Sequence, residues 1–439
     1  MGQLVAGVDS STQSCKVIIY DPESGNIVRS GSAGHPRGTE VSADAWWQAF
    51  CEASGKAGGL GDVDAISVGG QQHGMVTLDT DGNLVRDALL WNDTRSATAA
   101  SKLTEELGAQ VWAEACGSVP VASLTVSKVR WMADNEPESL RRTAAICLPH
   151  DYLSWRISGS SDISSLTTDR SDASGTGYLD LRTAEYHDDL FAYALRVSRD
   201  EAQRIYRPRV VAPFEAAAEV MRSIEEIGLK AGTIIGAGCG DNAGAALGLG
   251  LKTGEASMSL GTSGAVAVVS DQPVWDRTGV VTGFMDATGN WLPLACTLNG
   301  APVISRTADL LGVDFDRFDD LALSVSDSAG LELVPYFEGE RTPNLPNATA
   351  SLSGITFENW DPEHIAHVAV QSLAELMVGA VQAVSRCGTP VTRVSLIGGG
   401  ARSRAVQHIF PEVLGIDVDF PAPAEYVALG AAKQAAHLL

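Results

Sequence analysis

Two aspartates stand in company that suits phosphoryl chemistry. Asp9 closes an apolar run in "VAGVDSSTQSCKVIIYD" (residues 5–21), and the polar tip Ser10, Ser11, Thr12, Gln13 follows it. Asp241 lies in "GAGCGDNAGAALGLG" (residues 236–250), between glycines that bring the backbone close, with a small-residue helix beginning just after it. A carboxylate at a strand end can hold Mg²⁺ directly or through water. One at a helix start, kept ionised by the helix terminus, can take a proton from a hydroxyl about to attack a phosphoryl group. Each has a plainer reading as well: Asp9 as a turn-initiating residue, Asp241 or Asn242 as a simple helix cap.

Phosphates call for backbone N–H donors approached closely, hydroxyls and a cation. Residues 9–14, 260–264 and the "GGGARS" loop at 398–403 each offer some of this. For the glycines of the last, a flexible strand-to-helix connection is the plainer reading. "SVGGQQHGMVTLD" (residues 67–79) ends a strand in groups suited to a polyol, since Gln72 and His73 both donate and accept. A lone loop histidine is more often a packed structural residue. "LLWNDTRS" (residues 89–96) and "LPHDYLSWRISG" (residues 148–159) are aromatic and polar loops, uninformative alone.

The elements that must position these groups alternate between strand and helix, which predicts α/β architecture. Strands are expected at 3–9, 15–20 and 62–68, followed by a helix capped by Ser42 with Trp46, Trp47 and Phe50 in its core face. A later helix is expected between Asp361 as N-cap, Pro362 at the first position and Gly388 past the end. It feeds the buried strand "RVSLIG", the "GGGARS" loop and a helix containing Val406 and Ile409, which Pro411 is expected to kink or end. "ASMSLGTSGAVAVV" (residues 256–269) repeats the opening strand-tip-strand pattern, with Thr262 in the place of Thr12 and Gly261 in that of Ser11. Such a repeat predicts two domains of similar core, each presenting one hairpin tip to a shared cleft.

The 439 residues suffice for two domains. A net charge of −23 argues against nucleic acid or an anionic membrane as partner, but not against a small anion met by local donors and a cation. The seven cysteines form no CxxC pair and no zinc-ligand cluster, so reduced thiols in a cytoplasm are expected. No signal peptide is expected from the N-terminal residues, and no run of about 20 apolar residues suggests a membrane span.

Taken in order, "GVDSSTQSCKV", "SVGGQQHGMV", "ALLWNDTRS", "LPHDYLSWRISG", "TTDRSDASGTGYLDL", "GAGCGDNAGAALGLG", "SLGTSGAV", "VPYFEGERTP", "SLIGGGARS" and "EYVALGAAKQAA" resemble the FGGY carbohydrate kinases. "TDRSDAS" and "GCGDNAG" are the most pentulose-kinase-like. The resemblance implies a pair of ribonuclease-H-like domains of the actin and sugar-kinase type, at 1–245 and 246–439, with the active site in the cleft between them. It implies ATP-dependent phosphorylation of D-xylulose at O5, with ATP and Mg²⁺ as cofactors, in a cytoplasmic protein that could form a homodimer. Asp241 would be the general base and Asp9 the acidic residue beside Mg²⁺ and the phosphates. Gln72, His73, Asn242, Asp93 and Arg95 would line the sugar site. Ser11, Thr12, Gln13, Gly261 and Thr262 would meet the phosphates, and Gly399, Gly400 and Ser403 the adenosine. Ser11 departs from the glycine usual there, Gln72 from a common methionine, and Ala405, Val406 and His408 from bulkier or amide residues. Other acceptors (ribulose, an alditol, glycerol) are the alternative within the class. An actin- or chaperone-like ATP-binding protein is the alternative outside it.

Overall fold

The opening hairpin forms where expected. In the computed structural model, which describes residues 3–439, β1 (Leu4–Ser10) and β2 (Ser14–Asp21) are antiparallel, with Asp9 opposite Lys16. β3 (Asn26–Gly34) pairs antiparallel with β2, and β4 (Val63–Gly70) lies parallel to β1 on its other side. β5 (Ala216–Glu219) and β6 (Ile234–Gly236) complete the order β5-β6-β4-β1-β2-β3, while β7 (Cys239–Gly240) also runs alongside β4.

A second sheet repeats this plan. β8 (Glu255–Leu260) and β9 (Gly264–Val268) form its hairpin, and β10 (Val281–Met285) and β11 (Trp291–Thr297) add to the β9 side. β12 (Arg393–Ile397) and β13 (Asp417–Asp419) add in parallel on the β8 side. Thus β3-β2-β1-β4 in one sheet matches β11-β9-β8-β12 in the other, each with a hairpin between an antiparallel and a parallel neighbour. The sequence repeat is therefore a repeat of topology, the duplicated ribonuclease-H-like core.

Helix α1 (Asp44–Lys56) buries Trp46 and Phe50, but its N-cap is Ala43 rather than Ser42. Ser42 takes part through its backbone carbonyl, which accepts from the Ala45 N–H, and no side chain caps the helix. Helix α2 (Pro149–Ser158) and the single turn α3 (Arg170–Ala173) follow, then α4 (Asp241–Leu249), which runs unbroken across residues 245 and 246. Helix α5 (Pro362–Arg386) starts at the expected Asp361 cap, whose carboxylate accepts from the His364 N–H. At 25 residues it is long and apolar enough to cross a membrane, yet 67% of its most apolar window is buried in this fold. Ala366, Val370, Leu373 and Met377 pack there into the second sheet's core. Ser403 caps α6 (Arg404–Leu414), and Pro411 does not end it, for the helix continues to Leu414. The loss of one backbone bond at Pro411 is offset by burial of Val406, Ile409 and Phe410 on the core side.

The last helix, α7 (Tyr426–Ala436), returns to the first sheet, where Ala428, Ala432 and Ala435 pack with Val5, Ile18 and Ala65. This approach requires missing side chains. A Cβ on Gly7 would lie 1.9 Å from the Ala428 carbonyl oxygen, and one on Gly430 would lie 2.0 Å from that of Gly244. The small-residue character of α4 and α7 is thus a packing requirement, and it seats the helix that begins with Asp241. Gly430→Ala is expected to destabilise the protein by about 1–3 kcal/mol or more, because the obstructing atoms are backbone. Urea unfolding of the variant beside the parent measures it.

Candidate active site

Parallel pairing of β1, β4 and β7 brings three strand ends to one edge, with Ser10, Gly70 and Gly240 in adjacent register. Consequently Asp9, the 71–73 segment and Asp241, which are remote in sequence, emerge side by side. In the second sheet β8 pairs in parallel with β12, so the Gly261 tip and the 398–400 loop also leave one edge together. Loops beyond the carboxyl ends of parallel strands are where α/β proteins bind ligands.

Asp9 is 3% exposed and accepts from the Ser11 hydroxyl, with the Lys16 ammonium 3.9 Å away. Burial pushes its carboxyl up to about 6 despite that hydrogen bond and that cation. Lys16 is held more closely by Glu425, at 2.6 Å, so the residue before α7 reaches back to the hairpin. Asp241 is the first residue of α4, after Gly240 as N-cap, so the capping role proposed for it or Asn242 belongs to the glycine. Its carboxylate accepts from the N–H and the side-chain amide of Asn242. Burial first, and the nearby negative charge of Asp9 second, push its carboxyl up to about 7. A half-buried carboxyl poised near neutrality can accept a proton, and a buried one at a strand end can hold a divalent cation.

Gln72 is 5% exposed and accepts from the Asn242 amide at 3.2 Å, which joins two of the expected sugar residues to one another and, through Asn242, to Asp241. His73 has a positive φ of 68°, contacts the ring of Phe284 in β10, and shares its Nδ1 with the Gly175 carbonyl at 2.9 Å. Burial, with Lys128 and Arg341 nearby, pushes it down to about 3, so the imidazole is neutral and can both donate and accept.

The first hairpin tip does not need glycine. Ser11 is absent from the positive-φ residues, and its N–H closes the turn on the Ser14 carbonyl, as the Gly261 N–H does on Ser263. The amides of Thr12, Gln13 and Thr262 donate to no acceptor among the described residues. The Thr12 hydroxyl accepts from the Trp91 indole at 2.8 Å. A cavity of about 610 Å³ is lined by Thr262, Pro302, Ile304, Phe315, Gly399, Gly400 and Ser403. A second, of about 510 Å³, runs from Gly399 to Asp9 and Lys16. Together they form a path from an apolar wall suited to a nucleobase to the buried Asp9. The Ser403 hydroxyl is already engaged, donating to Asp319 at 2.6 Å and capping α6.

Asp93 and Arg95 are bonded to one another at 2.9 Å. Asp93 also accepts from Thr39, and Arg95 pairs with Glu40 and lies over Trp131. Arg95 faces a separate depression with Thr98, Lys102 and Asp134. The Asp93 charge favours protonation of the buried Lys128, which burial pushes down to about 7.

Several residues that build the site lie in the segments "LPHDYLSWRISG" and "TDRSDAS" without having been named individually there. His150 is buried beside Asp172 at 2.6 Å, Asp151 at 3.3 Å and Asp169 at 3.8 Å. These carboxylates hold it protonated, up to about 10, against its burial. The available signal was the pattern "TDRSD", in which Asp169 accepts from the N–H groups of Ser171 and Asp172, an N-terminal cap for α3.

Family models settle the class. The N-terminal domain of the FGGY family of carbohydrate kinases matches residues 4–248, and the C-terminal domain matches residues 256–439. The chain belongs to the FGGY family of carbohydrate kinases. This FGGY kinase is 45% identical over 444 residues to the xylulose kinase of Streptomyces rubiginosus, covering 100% of this chain and 88% of the relative. A Streptomyces coelicolor xylulose kinase is also 45% identical, over 445 residues. The crystal structure of xylulose kinase from Bifidobacterium adolescentis superposes with a TM-score of 0.93 at 47% identity, covering 100% of this chain and 93% of that one. As a carbohydrate kinase, the protein is a phosphotransferase that takes a sugar and ATP as substrates.

Proposed function

We propose that the enzyme transfers the γ-phosphoryl group of ATP to O5 of D-xylulose, giving D-xylulose 5-phosphate and ADP. The observation that carries this reading is the single edge at which Asp9, the 71–73 segment and Asp241 emerge, with Asp9 lining the path toward Gly399. In it, Gln72, His73 and Asn242 hold the sugar hydroxyls, and Asp241 accepts the proton from O5 as the oxygen attacks phosphorus. The tip amides of Thr12, Gln13 and Thr262 steady the phosphate oxygens, while the apolar wall with Ile304 and Phe315 takes the adenine. Mg²⁺ held through Asp9 would neutralise charge on the β- and γ-phosphates. Asp9 fits that role, because burial leaves its charge incompletely balanced by Lys16 at 3.9 Å. Positioning and electrostatics supply most of the acceleration in such transfers.

The division into two lobes falls near residues 245 and 246, at α4 and the loop after it, with α7 docked on the N-terminal lobe. A cytoplasmic setting agrees with the seven free thiols. The test is a panel of D-xylulose, D-ribulose, alditols and glycerol in a coupled ADP-release assay. D-Xylulose is expected to give the highest kcat/KM; a higher value for another acceptor overturns the assignment.

A further inference from the structure

The single turn α3 does more than close a loop, because it touches each half of the sugar site. The Ser171 hydroxyl accepts from the Gly240 N–H at 3.0 Å, and Gly240 is the cap from which Asp241 departs. The Ser171 carbonyl accepts from the Gln72 amide at 3.4 Å and from the Ser174 hydroxyl at 2.7 Å. Ser171 is 0% exposed, so no water replaces these bonds. Gly240 has no room to adjust on the other side, since a Cβ there would lie 2.6 Å from the Gln72 side chain.

The turn itself is held from three directions. Asp169 accepts from the Ser171 N–H at 2.7 Å and the Asp172 N–H at 3.0 Å. Asp172 is anchored to His150 at 2.6 Å. From the second sheet, the Met285 N–H donates to the Ser174 hydroxyl at 3.0 Å, and Arg170 donates to the Asn290 carbonyl.

From this geometry we infer that Ser171 is a positioning residue for the base: its hydroxyl sets the Cys239–Gly240 peptide and hence the direction in which the Asp241 carboxylate points at the acceptor hydroxyl. The inference rests on the proposed role of Asp241. It predicts a loss in the chemical step rather than in binding. A carboxylate displaced by a fraction of an ångström still leaves Gln72, His73 and the phosphate amides where they were, while the proton-accepting geometry suffers.

The experiment is a double-mutant cycle with D-xylulose and ATP. Ser171→Ala is expected to lower kcat about 10- to 100-fold while both KM values stay within about twofold. Ser171→Thr, which keeps the hydroxyl, is expected to recover most of the loss. In the Asp241→Asn background, Ser171→Ala is expected to cause no further fall in the residual rate. A purely structural role predicts instead a lowered unfolding midpoint with unchanged kcat, and that result overturns the inference. So does an equal fall in both backgrounds. If Ser171→Ala does not fold, Ser171→Cys, a weaker acceptor in the same place, takes its position in the cycle. Near-normal turnover by Asp241→Asn alone overturns the base assignment itself, and is thereby distinguished from failure of the Ser171 inference.

Discussion

Asp241→Asn is expected to bind ATP normally, to lose phosphoryl transfer and to gain stability above neutral pH. The amide cannot accept the proton of the attacking hydroxyl, and loss of a general base costs about 10²–10⁴-fold in rate. Single-turnover transfer from labelled ATP measures this, with nucleotide affinity as the control. The gain in stability follows from the carboxyl's displacement up to about 7 by burial and by Asp9. Between about pH 4 and 7 the folded chain keeps a proton that the unfolded chain has released, so rising pH removes stability across that window. Above it the ionised, half-buried carboxylate opposes folding, and an uncharged asparagine avoids that cost. The variant's unfolding midpoint at pH 8 should therefore exceed the parent's, and the two should converge toward pH 4. A midpoint at pH 8 equal to the parent's would show that Asp241 is not held in a protonation-sensitive site. In the active parent, the same titration gives kcat/KM for the sugar an acidic limb that rises through about pH 7.

Asp9→Asn is expected to act on the metal rather than the sugar. Without the carboxylate, half-saturating Mg²⁺ should rise about 10- to 100-fold, and kcat should fall even at saturating Mg²⁺. The sugar KM should change little, since Gln72, His73 and Asn242 sit on other strand ends and do not contact Asp9 through hydrogen bonds among the described residues. A Mg²⁺ titration at fixed ATP reads the first effect directly. An unchanged titration curve would remove Asp9 from the metal site and leave Lys16 as its main counter-charge.

The division between what could be read and what could not follows the range of the forces involved. The two hairpins were legible because an apolar run, a polar tip and a second apolar run report strand pairing locally. The Asp361 end of α5 was legible for a similar reason, as a cap acts within one turn. Ser42 misled because a backbone carbonyl took the place its hydroxyl was expected to fill. Pro411 does not end its helix because burial of Phe410 and Ile409 outweighs one lost backbone bond. At Ser11 no glycine was needed, since the turn closes at ordinary φ.

By itself the sequence determined the residue types of the proposed chemistry: Asp9 and Asp241 at element ends, Gln72 and His73 after a strand, and a duplicated hairpin that calls for two like cores. Only the tertiary structure decided which of these meet. The parallel register of β1, β4 and β7 sets Asp9 beside Asp241, and their shared burial raises both carboxyls. Long-range packing turns Arg95 toward Glu40 and Trp131, brings α7 back across the first strand, and slides Ser171 under Gly240. Burial and register depend on partners tens to hundreds of residues away. A local pattern carries the identity of a group, but not its neighbours or its charge.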